Sequence, residues 1–96
     1  MGERMDLIES KRIEILEIVR KHRGRSVSVF GSVARGDEHA DSDIDFLVEF
    51  EPGSSLFDLL HISPELGVLL DTPVDVVSAG GLKERDQHIR SEAVPL

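Results

Sequence analysis

Three short segments rich in β-branched residues alternate with helical segments, and this alternation limits the fold more than any other feature of the sequence. The predicted strands are residues 27–30, 44–50 and 74–77. Apolar residues at helical spacing predict helices over residues 6–21 and 56–70. Strands and helices that alternate along one chain indicate a single sheet with helices packed on it.

Local signals predict where the helices begin and break. Asp6 and Ser55 are each followed three residues later by an acidic residue, a spacing that resembles a capping box at a helix N-terminus. Ser63-Pro64 predicts a break or kink within residues 56–70, because proline lacks an N–H and fits the first turn of a restarted helix.

The expected fold class is α/β (α+β), with a small mixed sheet and helices packed on it, in one domain over residues 1–96. A short helical turn and loop over residues 32–42 and a last helix over residues 82–93 complete the order α-β-α-β-α-β-α. The hydrophobic content of 40% suffices for one core, and the absence of cysteine excludes disulfides and thiolate zinc sites.

Charge narrows the range of partners. The formal net charge of −8 disfavours direct nucleic-acid binding, because phosphate backbones repel an acidic surface. No apolar run approaches the ~18 residues of a membrane-spanning helix, and no signal peptide is visible. We therefore expect a cytoplasmic protein without membrane contact.

Two aspartates stand at the head of the second predicted strand. Asp43 and Asp45 share one face of it, because side chains two residues apart point the same way. Carboxylates this close repel each other, and a divalent cation removes the conflict. Mg²⁺ prefers oxygen ligands, usually a few carboxylates with substrate phosphates. The pair indicates a magnesium site, although solvated aspartates at a strand end give the same pattern.

A third acid, Asp75, lies within the third predicted strand between Val74 and Val76. An acid in an apolar strand is unusual, because unpaired buried charge is costly. If the third strand lies beside the second, three carboxylates can hold two Mg²⁺ ions across an in-line phosphoryl displacement. The alternative is an edge-strand residue that faces water.

Gly31-Ser32 follows the first predicted strand directly. Glycine lets a backbone approach a phosphate closely, and the N–H groups that begin the following helix point at an anion. The same dipeptide also serves as an ordinary helix cap and turn. Arg35 is a candidate for binding a triphosphate or the leaving pyrophosphate, and it is equally placed to pair with Asp37 or Asp41.

Together these residues read GS-x10-D-x-D, which resembles the signature of the DNA polymerase beta-like nucleotidyltransferase superfamily. The stretch GSVARGDEHADSDIDFLVEF looks like its minimal nucleotidyltransferase branch. PVDVVSAGGL resembles the strand of the third carboxylate, and IRSEAVPL resembles the last helix and end. The resemblance covers nearly the whole chain.

The resemblance implies a role for each candidate residue. Asp43 and Asp45 would be metal ligands, and Asp75 would complete the metal site and help deprotonate the acceptor hydroxyl. Gly31 and Ser32 would hold the triphosphate. The reaction would move a nucleoside monophosphate, expected to be AMP from ATP, onto an acceptor and release pyrophosphate.

The resemblance also implies a partner. Family members of this length are often antitoxins encoded with a HEPN-domain ribonuclease toxin, and some transfer AMP onto a tyrosine of that toxin. We therefore expect a HEPN toxin as acceptor, in a hetero-oligomer with this chain. Two alternatives stay open: an antitoxin that neutralises its toxin by contact alone, and a transferase that modifies a small molecule.

Two further features lie outside this scheme. The four histidines, His22, His39, His61 and His88, lack metal-ligand spacing and are expected at the surface or at helix ends. The apolar face of the helix over residues 56–70 is a candidate docking surface, although such a face more often belongs to the core.

Overall fold

The structure is a computed structural model that describes residues 3–36, 43–81 and 87–96. Its helices are α1 (Glu3–Ser10), α2 (Arg12–Lys21), α3 (Gly31–Arg35), α4 (Leu56–Leu70) and α5 (Gln87–Glu92), and a 3-10 turn spans Ala79–Gly81. Its strands are β1 (Gly24–Phe30), β2 (Ile44–Phe50), β3 (Val74–Ser78) and β4 (Val94–Pro95). The predicted alternation of helices and strands is confirmed.

The described strands form one mixed sheet in the order β3-β2-β1-β4. β1 runs antiparallel to both β2 and β4, whereas β2 and β3 are parallel. Parallel neighbours need a crossover connection, and α4 provides it. As a result, the N-terminal ends of β2 and β3 lie side by side at the same end of the sheet.

One hydrophobic core lies between the sheet and the first four helices. The buried side chains of β2 that face it are Ile44, Phe46 and Val48, each with no exposed surface. The other members of this cluster come from α1 to α4 and from β1: Ile8, Ile15, Val19, Val27, Val29, Val33, Ile62, Leu66 and Leu70. Because strand side chains alternate, the opposite face of β2 carries Asp45, Leu47 and Glu49.

The first predicted helix is two helices in the structure. α1 already begins at Glu3, so Asp6 lies inside it and the predicted cap is wrong; good helix formers precede Asp6 and extend the helix. A turn at Lys11 separates α1 from α2. Ile8 on α1 and Ile15 on α2 are both fully buried, so both helices direct their apolar faces into the same core.

α4 is continuous through Pro64, and the predicted break is wrong. Ile62 before the proline and Leu66 after it are both fully buried, so core packing on both sides offsets the lost backbone hydrogen bond. Ser63 does not cap a second helix. Its hydroxyl donates to the carbonyl oxygen of Val74 at 2.9 Å and so ties α4 to β3.

The ends of α4 follow the sequence signals. The Ser55 N–H donates to Asp58 Oδ2 at 2.9 Å, as in the predicted capping box. The helix ends where Asp71 adopts a left-handed conformation with φ of 50°. Pro73 then prevents a further helical turn.

The C-terminal part of the described chain adds a strand that the sequence did not predict. β4 pairs with β1 through Val94 and Pro95, and the Leu96 N–H donates to the Val27 carbonyl oxygen at 3.1 Å. A strand of two residues has no periodicity to detect. The predicted loop at 37–42 and the start of the last predicted helix lie outside the described residues. None of the described helices is long and apolar enough to cross a membrane.

Candidate active site

The two aspartates of the D-x-D motif lie at the N-terminal end of β2. Asp43 directly precedes the strand and is exposed, and Asp45 is its second residue and half-buried. Ile44, between them, points into the core and has no exposed surface. Strand alternation therefore separates the two acids from the core, as the sequence predicted.

Asp75 lies next to Asp45 across the parallel strand pair. The two residues are register partners in the β2–β3 ladder, so their side chains share a face of the sheet. The sequence argument for Asp75 assumed a buried charge, and that assumption is wrong. β3 is an edge strand among the described strands, and Asp75 is exposed, so its carboxylate carries no burial penalty.

Asp43 and Asp75 both act electrostatically on Asp45. Burial raises the pKa of the Asp45 carboxyl above its ordinary value, and the negative charges of Asp75 and then Asp43 raise it further. The positive charge of Arg35 acts in the opposite direction. Asp45 is thus a carboxylate held against like charges, and a bound cation would relieve this repulsion.

Gly31 brings the turn between β1 and α3 against Asp45. Its φ is +75°, in the left-handed region that favours glycine. A Cβ atom at this position would lie 2.5 Å from Asp45 Oδ2, closer than side-chain carbons approach other atoms. Gly31 therefore lies directly against the Asp45 carboxylate, with the half-buried Ser32 next along α3.

Arg35 ends α3 and pairs with an acid that the sequence did not indicate. Its Nη1 donates to Glu92 Oε2 of α5 at 3.1 Å, and about half of the Arg35 side chain is exposed. Its charge also reaches Asp45. Asp37 and Asp41, the two partners that the sequence indicates, lie outside the described residues. Glu92 is 57 residues away in the chain, so no local signal identified it.

The three aspartates suit a metal ion that is shared with a nucleotide. Within residues 3–36, 43–81 and 87–96, no three His, Cys, Asp or Glu side chains form a group that could hold a metal by themselves. Mg²⁺ on a nucleotide needs fewer protein ligands, because phosphate and water oxygens complete its octahedron. The like charges around Asp45 favour the approach of such a cation.

The histidines are placed mostly as expected, with one contact that was not predicted. His22 caps the C-terminus of α2, and His61 and His88 are exposed, whereas His39 lies outside the described residues. The rings of His22 and His61 lie 5.8 Å apart between centroids. His22 Nε2 is also 3.0 Å from Glu65 Oε2, so this cluster links α2 to α4.

The arrangement of the D-x-D strand, the glycine turn and the third acid can be compared with known families. The family model that describes the nucleotidyltransferase domain matches residues 12–94. The chain belongs to the nucleotidyltransferase-domain family. This nucleotidyltransferase therefore combines the family's sequence pattern with a sheet that brings the separated acids together.

Similar proteins extend over almost the entire nucleotidyltransferase. A protein of Methanocaldococcus jannaschii named "putative protein adenylyltransferase" is 43% identical over 94 residues, which cover 94% of this chain and 97% of the relative. The solved structure of a "putative minimal nucleotidyltransferase" is 42% identical, with a TM-score of 0.84 over 99% of this chain and 100% of that one. The fold is thus that of a minimal nucleotidyltransferase.

A more distant likeness concerns the fold alone. A structure of a tri-AMPylated Shewanella oneidensis HEPN toxin in complex with its MNT antitoxin aligns with a TM-score of 0.67 at 18% identity. The alignment covers 91% of this nucleotidyltransferase and 69% of the other chain.

Proposed function

We propose that this nucleotidyltransferase transfers AMP from ATP, with Mg²⁺, onto a hydroxyl group of a partner protein. The observation that carries the proposal is the register of Asp45 with Asp75, with Asp43 at the same end of β2. Three carboxylates at one sheet edge suit a metal–triphosphate complex, whereas a protein that only binds its partner has no use for them.

Each residue of the site has a proposed task in this reaction. The backbone of Gly31 and Ser32 and the guanidinium of Arg35 bind the triphosphate. Held by Asp43, Asp45 and Asp75, Mg²⁺ would supply positive charge where negative charge develops on the phosphates. Asp75 is more exposed than its register partner Asp45, and it accepts the proton of the acceptor hydroxyl. The acceptor oxygen then bonds to the α-phosphorus as the bond to pyrophosphate breaks.

We propose a HEPN-domain toxin as the acceptor and this chain as its antitoxin. The support comes from the relatives: one is named a "putative protein adenylyltransferase", and a distant fold neighbour forms a complex with a tri-AMPylated HEPN toxin. The partner would supply the acceptor hydroxyl on its own surface.

The test is transfer of radiolabel from α-³²P-ATP with Mg²⁺, with and without the protein encoded next to this chain. We expect label on the neighbouring protein, at least 100-fold less label with Asp43→Ala, and none when EDTA replaces Mg²⁺. Glu51→Ala is the matched control, because Glu51 is an exposed acid just beyond the other end of β2.

Other outcomes decide between functions. A stable complex with the neighbour but no label from any nucleoside triphosphate would favour an antitoxin that acts by contact alone. Label on an added small-molecule alcohol, with none on the neighbour, would instead indicate a small-molecule transferase.

A further inference from the structure

α4 is apolar on two opposite faces. Its inner face packs in the core through Ile62, Leu66 and Leu70. The residues at helical spacing on the opposite side form what we call the α4 stripe: Phe57, Leu60, Pro64 and Val68. A surface helix ordinarily carries polar residues opposite its core face, so the second apolar face requires an explanation.

The α4 stripe is exposed along its whole length. Phe57 is 70% exposed, Leu60 54% and Val68 85%. Pro64 lies between them and is exposed as well. Single exposed apolar residues are normal on protein surfaces, but several aligned along one helix mark a contact surface.

A groove extends the stripe towards α2. Pro64, Val68 and Leu69 line it together with Ile18 of α2, and its volume is about 470 Å³. Its lining is almost entirely apolar apart from Glu65 at its edge. The groove is therefore suited to bind an apolar side chain of another molecule next to the stripe.

Charges around the stripe indicate which molecule fits. α4 contains no Lys or Arg, and Asp58, Glu65 and Asp71 lie on or directly after it. Glu65 already pairs with Lys21 at 2.7 Å and with His22 at 3.0 Å, and these hydrogen bonds lower its pKa. Asp58 and Asp71 therefore carry the negative charge that a partner would meet beside the stripe. With a net charge of −8, a second copy of this chain would set acids against acids. A basic surface would complement them.

We propose that the α4 stripe is the docking surface for a partner protein that presents an apolar helix face bordered by Lys or Arg residues. The stripe lies on the helix layer, and Asp45 points from the opposite face of the sheet, so docking leaves the catalytic edge open. The inference rests on the proposed function in one respect, namely that the docked partner is the acceptor protein.

The first experiment uses two synthetic amphipathic helices of about 20 residues as probes, with the same leucine stripe flanked by Lys in one and by Glu in the other. Fluorescence anisotropy measures their binding to the full chain. We expect the Lys-flanked peptide to bind at least tenfold more tightly than the Glu-flanked peptide. Its binding should weaken at least tenfold in the double variant Phe57→Ser/Val68→Ser.

Ile13→Ser is the matched control, because Ile13 is an exposed apolar residue of α2, 69% exposed, on the side away from Ile18 and the groove. It should bind the Lys-flanked peptide as the wild type does. Equal binding of the two peptides, or unchanged binding by the double variant, would overturn the proposal. A wild-type dimer that the double variant converts to a monomer, seen by light scattering, would overturn it in favour of a second copy.

The second experiment repeats label transfer to the neighbouring protein with the same variants. Phe57→Ser/Val68→Ser should raise KM for the acceptor at least tenfold and leave KM for ATP and kcat unchanged. An unchanged acceptor KM would contradict docking at the stripe. If no variant transfers label, the proposed function fails, and the peptide experiment still decides the docking surface. Asp43→Ala, which leaves the stripe intact, should bind the Lys-flanked peptide like the wild type.

Discussion

Among the acids of the described part of the chain, Asp45 is the one whose surroundings disfavour its negative charge most. It is half-buried and lies near Asp75 and Asp43, and among the described residues the positive charge of Arg35 opposes their effect. A protein that needed only stability would place a neutral residue there, because burial and like charges both disfavour a carboxylate. The repulsion therefore indicates a function for the charge.

Asp45→Asn should raise the melting temperature of the metal-free protein by roughly 2–6 °C, because it removes a repelled charge. The difference in melting temperature between Asp45→Asn and the wild type should disappear at low pH. A carboxyl whose pKa is raised on folding costs stability above that pKa, and the cost disappears below the ordinary pKa of an aspartate, about 3.9. Thermal unfolding across pH checks both statements, and Glu51→Gln serves as control. A lower melting temperature at neutral pH would contradict the assigned repulsion.

Arg35→Ala should raise KM for ATP about tenfold with a smaller effect on kcat, because a charge-assisted contact to the triphosphate contributes about 1.5–3 kcal/mol. Arg25→Ala is the matched control. Arg25 is also a half-exposed arginine bonded to a glutamate, Glu49, but it lies on β1 away from α3. Steady-state kinetics with varied ATP separate the two parameters. Equal changes in both variants would indicate loss of general positive charge alone.

Single-residue inference from the sequence succeeded where the relevant geometry is local. Asp43 and Asp45 follow from strand alternation alone, which holds in any sheet. Asp75 was chosen for a wrong reason, because whether it is buried depends on β3 being an edge strand. Glu92 was missed, because α5 reaches Arg35 only in the folded chain.

At the scale of elements, the turn from β1 into α3 connects the sheet to the site. The strand ends at Phe30, and the chain turns at Gly31 with positive φ directly against Asp45. The turn therefore places the start of α3 beside the Asp45 carboxylate. Glycine is required here for two separate reasons, its conformation and its missing side chain.

Gly31→Ala and Gly36→Ala separate these two reasons. Both glycines have positive φ, but an added Cβ meets Asp45 only at position 31 and nothing within 4 Å at position 36. The free energy of unfolding of Gly36→Ala should fall by about 1–2 kcal/mol from backbone strain alone. Gly31→Ala should lose more of the free energy of unfolding, and it should also lose most of the transfer activity. Urea unfolding and label transfer measure the two effects, and identical results for both variants would show that the collision has no importance.

The regular elements were predictable to different degrees. β2 has the predicted bounds, because its apolar run is long and ends in clear turn residues. The division of the first helix at Lys11 and the continuity of α4 through Pro64 were not predicted. Both depend on how apolar faces reach the common core, and tertiary packing overrides local signals there.

At the scale of the whole molecule, the fold class could be predicted, because alternating helices and strands allow few arrangements. The mixed sheet confirms it, whereas the fourth strand and the strand order were not available from the sequence. Helix α4 carries an exposed apolar face opposite its core face, and docking of a partner at the α4 stripe accounts for it.

Nucleotide and metal should stabilise the whole fold only together. An ATP analogue with a methylene bridge between the α and β phosphates, added with Mg²⁺, should raise the melting temperature by roughly 11–22 °C. At 100-fold excess over Kd a ligand adds about 2.7 kcal/mol, and about 1 kcal/mol corresponds to about 4–8 °C in a domain this small. Asp43→Ala should show little of this rise. The same rise with EDTA in place of Mg²⁺ would contradict a shared metal–nucleotide site.

The parallel pairing of β2 with β3 has a consequence for how the chain folds. Asp45 and Asp75 are 30 residues apart, and α4 must form and cross over before they become neighbours. A slip of β3 by one residue would turn Asp75 towards the core and expose its valine neighbours. A ligand that requires both acids therefore binds only the correctly threaded chain. Binding would therefore favour the correctly registered sheet and would report, in a refolding experiment, when β3 has paired with β2.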